Sequence, residues 1–102
     1  MEVDDMKLRS GYKLIQGSEG WSRLVCDDGT NGKSYDLNGR AAFIVAKMMQ
    51  PTTVEGIAIA LVEKYHLSYL DILGDVYDFV YELRKMGMVE EAEVVVSHSV
   101  FD

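Results

Sequence analysis

Two apolar stripes at helical spacing stand almost end to end in this chain, with only His66-Leu67-Ser68 between them. Val54, Ile57, Ala58, Leu61, Val62 and Tyr65 recur at intervals of three and four, which places them on one helix face. Thr52 and Glu55 stand ahead of them at capping-box spacing. The following stripe runs to about Met86 and stops at Gly87, a residue suited to the left-handed position after a helix. Ser68, with Asp71 three residues on, is its candidate cap. Two helices joined by so short a turn describe a helix-turn-helix. A shorter helix precedes them. Asn38 is its candidate N-cap, Ala41, Ile44, Val45 and Met48 form its buried face, and Pro51 stops it.

The region before the helices has a different period. Tyr12-Lys13-Leu14-Ile15, Trp21-Ser22-Arg23-Leu24-Val25-Cys26 and Lys33-Ser34-Tyr35-Asp36-Leu37 read as strands. The breaks between them, Gly17-Ser18-Glu19-Gly20 and the dipeptides Asp28-Gly29 and Asn31-Gly32, are rich in residues that tolerate positive φ. The expectation is a three-stranded antiparallel meander. After the last helix, Met88-Val89-Glu90 and Val94-Val95-Val96 flank Glu91-Ala92-Glu93 and read as a two-stranded wing.

The fold class expected is therefore α+β: a winged helix-turn-helix with three helices, an N-terminal three-stranded antiparallel sheet and a C-terminal β wing. The domain is expected over residues 12–90, with a flexible N-terminus at 1–11 and a C-terminal strand or tail at 91–102. A chain of 102 residues fits one such domain.

Unrolling the third helix at about 100° per residue separates three surfaces. Ile72, Val76, Phe79 and Leu83 fall within one arc and form the expected core face. Asp71, Asp75, Asp78 and Glu82 make an acidic stripe on one flank, read as a solvated face or as a docking edge for a basic partner. The other flank holds Leu70, Leu73, Tyr77, Val80, Tyr81 and Arg84, more apolar surface than burial of one helix requires. Either the N-terminal sheet covers that flank or it lines a groove. Tyr and Arg suit a groove because each joins a large body to a hydrogen-bonding tip.

Charge narrows the partner. The formal net charge is −7, whereas a protein that neutralises phosphates needs Lys and Arg. A helix that reads the major groove carries Arg, Lys, Asn or Gln, but the third helix sets four carboxylates against Arg84 and Lys85. Nucleic acid is not the expected partner. An extended peptide is a better one, because it can pair with a sheet edge through backbone groups alone. The strand from Lys33 to Leu37, which alternates Lys33, Tyr35 and Leu37 against Ser34 and Asp36, is the candidate edge.

Nothing in the sequence points to catalysis. His66, His98 and Cys26 lack zinc-ligand spacing, and no phosphate-loop, dinucleotide or nucleophile-elbow pattern occurs. No enzyme activity, metal or cofactor is expected. The single Cys26 excludes an internal disulfide and favours a reducing compartment. The acidic start lacks an apolar signal segment, and no apolar run approaches the roughly 18 residues of a membrane span. A cytoplasmic location is expected.

The order and spacing of these residues resemble the pyrroloquinoline quinone biosynthesis protein D (PqqD) family. The resemblance spans about Tyr12 to Glu90. It rests on Leu37-Asn38, Ala42 and Ile44, then on Thr53-Val54-Glu55-Gly56-Ile57-Ala58 with Leu61 and Tyr65. Asp75-Val76, Phe79-Val80, Leu83 and Gly87-Met88-Val89 complete it. It implies a recognition element for ribosomally made precursor peptides. Such an element binds a leader segment as an added strand between the third strand and the third helix. It presents that segment to a modifying enzyme, often a radical S-adenosylmethionine (radical SAM) enzyme. The implied peptide-binding residues are Lys33, Ser34, Tyr35 and Asp36 on the strand, with Leu73, Tyr77, Val80, Tyr81 and Arg84 on the helix. The alternatives are a winged-helix transcription regulator and a protein-interaction or dimerisation module, a homodimer paired through an exposed strand included.

Overall fold

The computed structural model describes residues 5–26 and 34–91. In chain order its elements are β1 (Met6–Leu8), β2 (Tyr12–Gln16), β3 (Ser22–Cys26), β4 (Ser34–Leu37), α1 (Gly39–Lys47), α2 (Val54–Tyr65), α3 (Tyr69–Lys85) and β5 (Val89–Glu91). No helix among the described residues is long and apolar enough to cross a membrane.

The helix ends follow local chemistry. The Asn38 side chain accepts the Ala41 N–H at 2.8 Å and so satisfies an otherwise orphaned donor of α1. At α2 the cap is Thr53, whose Oγ1 accepts the Gly56 N–H at 3.0 Å, and not Thr52. Thr52 is committed elsewhere: its backbone exchanges two hydrogen bonds with Met6, at 2.8 and 2.9 Å. With Thr53 as cap, the third helical residue is Gly56, which has no side chain to return the bond, so the capping box does not form. Ser68 holds the N-cap position of α3 but makes no side-chain capping bond. Beyond α3, Gly87 takes φ +76°, and the N–H groups of Gly87 and Met88 donate to Arg84 and Leu83. That paired closure is the Schellman arrangement, and glycine is favoured in it because it carries no Cβ.

The strands form two sheets. β2, β3 and β4 make the expected antiparallel meander. Tyr12 to Gln16 pair with Cys26 to Ser22, and Ser22 to Val25 pair with Leu37 to Ser34. The second sheet corrects the sequence reading. β5 pairs antiparallel with β1, Leu8 opposite Val89. Residues 6–8, expected in a flexible terminus, are therefore part of the folded core, and Met6 and Leu8 are buried. Alternation of two apolar residues around Lys7 is too short a pattern to announce a strand, and its partner lies some eighty residues away. Val94 to Val96, read as the second wing strand, lie outside the described residues.

The core is entirely apolar among the described residues. α2 contributes Val54, Ile57, Ala58 and Leu61, and α3 contributes Ile72, Val76, Val80 and Leu83. Val80, expected on the open flank, is thus a core residue, while Phe79 is only partly buried. The reason is the direction of packing. α3 rests on α2 and β5, and the arc centred on Val76 turns toward them, which takes in Val80 and moves Phe79 to the margin. The three-stranded sheet packs on α1 instead. Sheet and third helix thus approach one another across a shared core rather than face to face.

Candidate functional site

The hydrogen-bonding pattern of the meander decides which groups β4 offers. At the tip of the first hairpin the Gly17 N–H donates to the Trp21 carbonyl at 2.8 Å. In an antiparallel ladder, bonded and non-bonded pairs alternate. Residues 23 and 25 therefore turn their backbone groups to β2, while Ser22 and Leu24 turn theirs to β4. Their partners there are Leu37 and Tyr35. It follows that Ser34 and Asp36 direct both N–H and C=O away from β3, to the outer margin of the sheet. No strand among the described residues pairs with that margin. The backbone of Tyr35 is used within the sheet, so the edge belongs to Ser34 and Asp36. Lys33 lies outside the described residues.

Side chains on β4 alternate as the sequence suggested. Tyr35 and Leu37 face inward, and Ser34 and Asp36 are exposed. Asp36 Oδ1 accepts from Arg23 Nε at 3.0 Å, a cross-strand ion pair on the outer face of the sheet. Tyr35 and Leu73 both pack against the buried cluster, one from β4 and the other from α3. The strand and the helix thus share one core.

On α3, Leu73 is half-buried while Tyr77 and Tyr81 are exposed. Two polar tips of this flank are already engaged. The Tyr77 hydroxyl donates to Glu55 Oε2 at 3.0 Å, which ties the flank to the start of α2. The adjacent carboxylate raises the Tyr77 pKa above its ordinary value, first by that hydrogen bond and then by its charge. Arg84 Nε donates to Glu91 Oε2 at 3.1 Å and its terminal nitrogen lies 3.7 Å from the Met6 sulfur. Arg84 is thereby directed to the β1–β5 pair. Tyr81 carries the Lys85 ammonium 5.0 Å from its ring centroid.

Leu70, which is 77% exposed, and Tyr69 extend the apolar surface at the start of α3. Leu70 belongs to the flank by its helical phase, and its exposure is the strongest mark of an uncovered surface. Asp71, Asp75, Asp78 and Glu82 are all exposed, and Glu82 meets Lys85 at 3.3 Å. The outer face of the sheet was not among the surfaces that the sequence pointed to. There Ile15 and Trp21 are each about half exposed and border a cleft of about 530 Å³ that also reaches Arg23 and Asp36.

The pattern of the family described as coenzyme PQQ synthesis protein D (PqqD) matches residues 19–89. The chain belongs to the PqqD family. Two solved structures share its fold. One is described as TbiB1 in complex with the TbiA(beta) leader peptide. It is 17% identical, with a TM-score of 0.68 over 82% of this chain and 94% of that one. The other is a lasso peptide synthetase B1 complexed with the leader peptide. It is 25% identical, with a TM-score of 0.66 over 83% of this chain and 96% of that one. No curated protein matches the sequence.

Proposed function

We propose that this PqqD-family chain is a non-catalytic adaptor that captures the leader segment of a ribosomally made precursor peptide and presents it to a modifying enzyme. One observation carries the reading: the N–H and C=O groups of Ser34 and Asp36 form a sheet edge that no strand among the described residues pairs with, in a domain that also leaves an apolar flank of α3 exposed. A peptide laid antiparallel along that edge exchanges backbone bonds with Ser34 and Asp36, which gives affinity without sequence. Its residue opposite Tyr35 points inward, toward Leu73 and the tyrosines of α3. Tyr77, Tyr81 and Leu73 supply contact area there, and Val80 acts from beneath as core. Arg84, held by Glu91, shapes the end of the flank. The leader peptides bound to the two structural relatives support the same use of the fold here. A radical SAM enzyme is the family-based expectation for the modifying enzyme, and the site is taken to be cytoplasmic.

The acidic outer surface of α3 disfavours the transcription-regulator reading, since each exposed carboxylate would repel a phosphate. Titration with synthetic peptides spanning short reading frames encoded beside this chain, followed by backbone amide shifts, tests the assignment. Shifts are expected at Ser34 to Leu37 and at Leu73, Tyr77 and Tyr81. Saturable binding with shifts confined to other surfaces would overturn it. A mass that grows with concentration in the absence of peptide would instead favour self-pairing through the same edge.

A further inference from the structure

The cleft on the outer face of the three-stranded sheet lies next to the proposed peptide edge. Alternation puts Ile15, Arg23 and Asp36 on that face, in one row across the three strands. Trp21 stands beside the row, two residues before Arg23 and on the same face, held there by the tight hairpin. Its N–H donates to Ser18 at 3.1 Å, Glu19 takes a left-handed φ of 56°, and a Cβ on Gly17 would come within 2.9 Å of the Trp21 carbonyl oxygen. The cleft is thus lined by apolar Ile15 and Trp21, by the Arg23–Asp36 pair and by Glu19. Arg23 is matched by Asp36, so the Glu19 carboxylate leaves the cleft with one net negative charge.

A strand added to β4 lengthens this row by one residue. Residues directly opposite in an antiparallel pair share a face, with Cβ atoms about 5 Å apart. The peptide residue opposite Asp36 therefore projects onto the outer face, beside the Asp36 carboxylate and at the mouth of the cleft. We infer that this cleft is a specificity pocket for a Lys or Arg side chain of the bound peptide, at the position that pairs with Asp36. Such a side chain meets a carboxylate across the strands and can lie over the face of Trp21, where a cation is attracted by the ring quadrupole. An acidic side chain at that position meets Asp36 and Glu19 as like charges.

The inference rests on strand addition at β4, and its test separates the two. A phage-displayed library of random 12-residue peptides is selected against the unaltered chain and against Ser34→Pro, which blocks the edge. Ser34→Pro is expected to recover no family of related peptides. Selection on the unaltered chain is expected to enrich Lys or Arg at one fixed position. Synthetic versions carrying Arg or Ala there should differ in Kd by about tenfold. In Trp21→Ala, and independently in Glu19→Gln at the exposed hairpin tip, that ratio should fall toward one. Edge-dependent peptides without a basic preference, or with an apolar one, overturn the pocket and leave strand addition standing. Peptides recovered equally well by Ser34→Pro overturn both.

Discussion

The helical part of the molecule and its three-stranded sheet differ in how completely they are covered. α2 and α3 each bury four apolar residues, and the β1–β5 pair closes over them with Met6, Leu8 and Met88. Among the described residues of β2, β3 and β4, only Leu24 and Leu37 are buried. The sheet packs chiefly on α1, carries Ile15 and Trp21 half exposed and ends in a margin that no strand among the described residues pairs with. One part holds the fold together, and the other is left with unused backbone groups and apolar surface. Such surface is where a partner gains most, because its hydrogen bonds and contacts replace water rather than native structure.

The largest break in this comparison is expected from the helical side. Leu61→Ala leaves a cavity in a fully buried site and should cost about 2–5 kcal/mol in urea unfolding. Leu8→Ala should fall in the same range, although it lies in a terminal segment, because its side chain is equally enclosed. Ile15→Ser on the open sheet face should change stability by no more than about 0.5 kcal/mol. A large loss there would mean that the sheet is as tightly integrated as the helices.

The edge gives the next effect. Ser34→Pro removes an N–H that points away from β3, so the domain should stay folded by circular dichroism while leader-peptide affinity falls at least about tenfold. Tyr35→Pro removes an N–H used inside the sheet and should destabilise the domain itself. Equal destabilisation by both would refute the assignment of the free edge to Ser34 and Asp36.

The caps follow in size. Thr53→Ala should cost about 1 kcal/mol through loss of the bond to Gly56, and Thr52→Ala should cost less. A reversed order in thermal unfolding would restore the capping box that the sequence suggested.

The smallest effect is a titration. With its pKa raised by Glu55, Tyr77 contributes stability that is fully present below its unfolded pKa and is lost as pH rises through the folded one. Site-resolved tyrosine ring signals should show the Tyr77 midpoint move down in Glu55→Gln.

The sequence alone determined the elements whose signals are local. Periodicity placed α2 and α3, Asn38 and Gly87 marked helix ends, and the turn dipeptides separated β2, β3 and β4. The candidate edge was legible as a residue range. Which residues expose their backbone there was not, because that depends on the bonded register inherited from the first hairpin. Tertiary structure decided what depends on partners far along the chain. It paired Met6–Leu8 with Val89–Glu91, moved the cap from Thr52 to Thr53 by committing Thr52 to Met6, and turned α3 so that Val80 is enclosed. A helix wheel fixes the relative angles of side chains, but only the neighbours against which the helix packs fix which of those angles is inside.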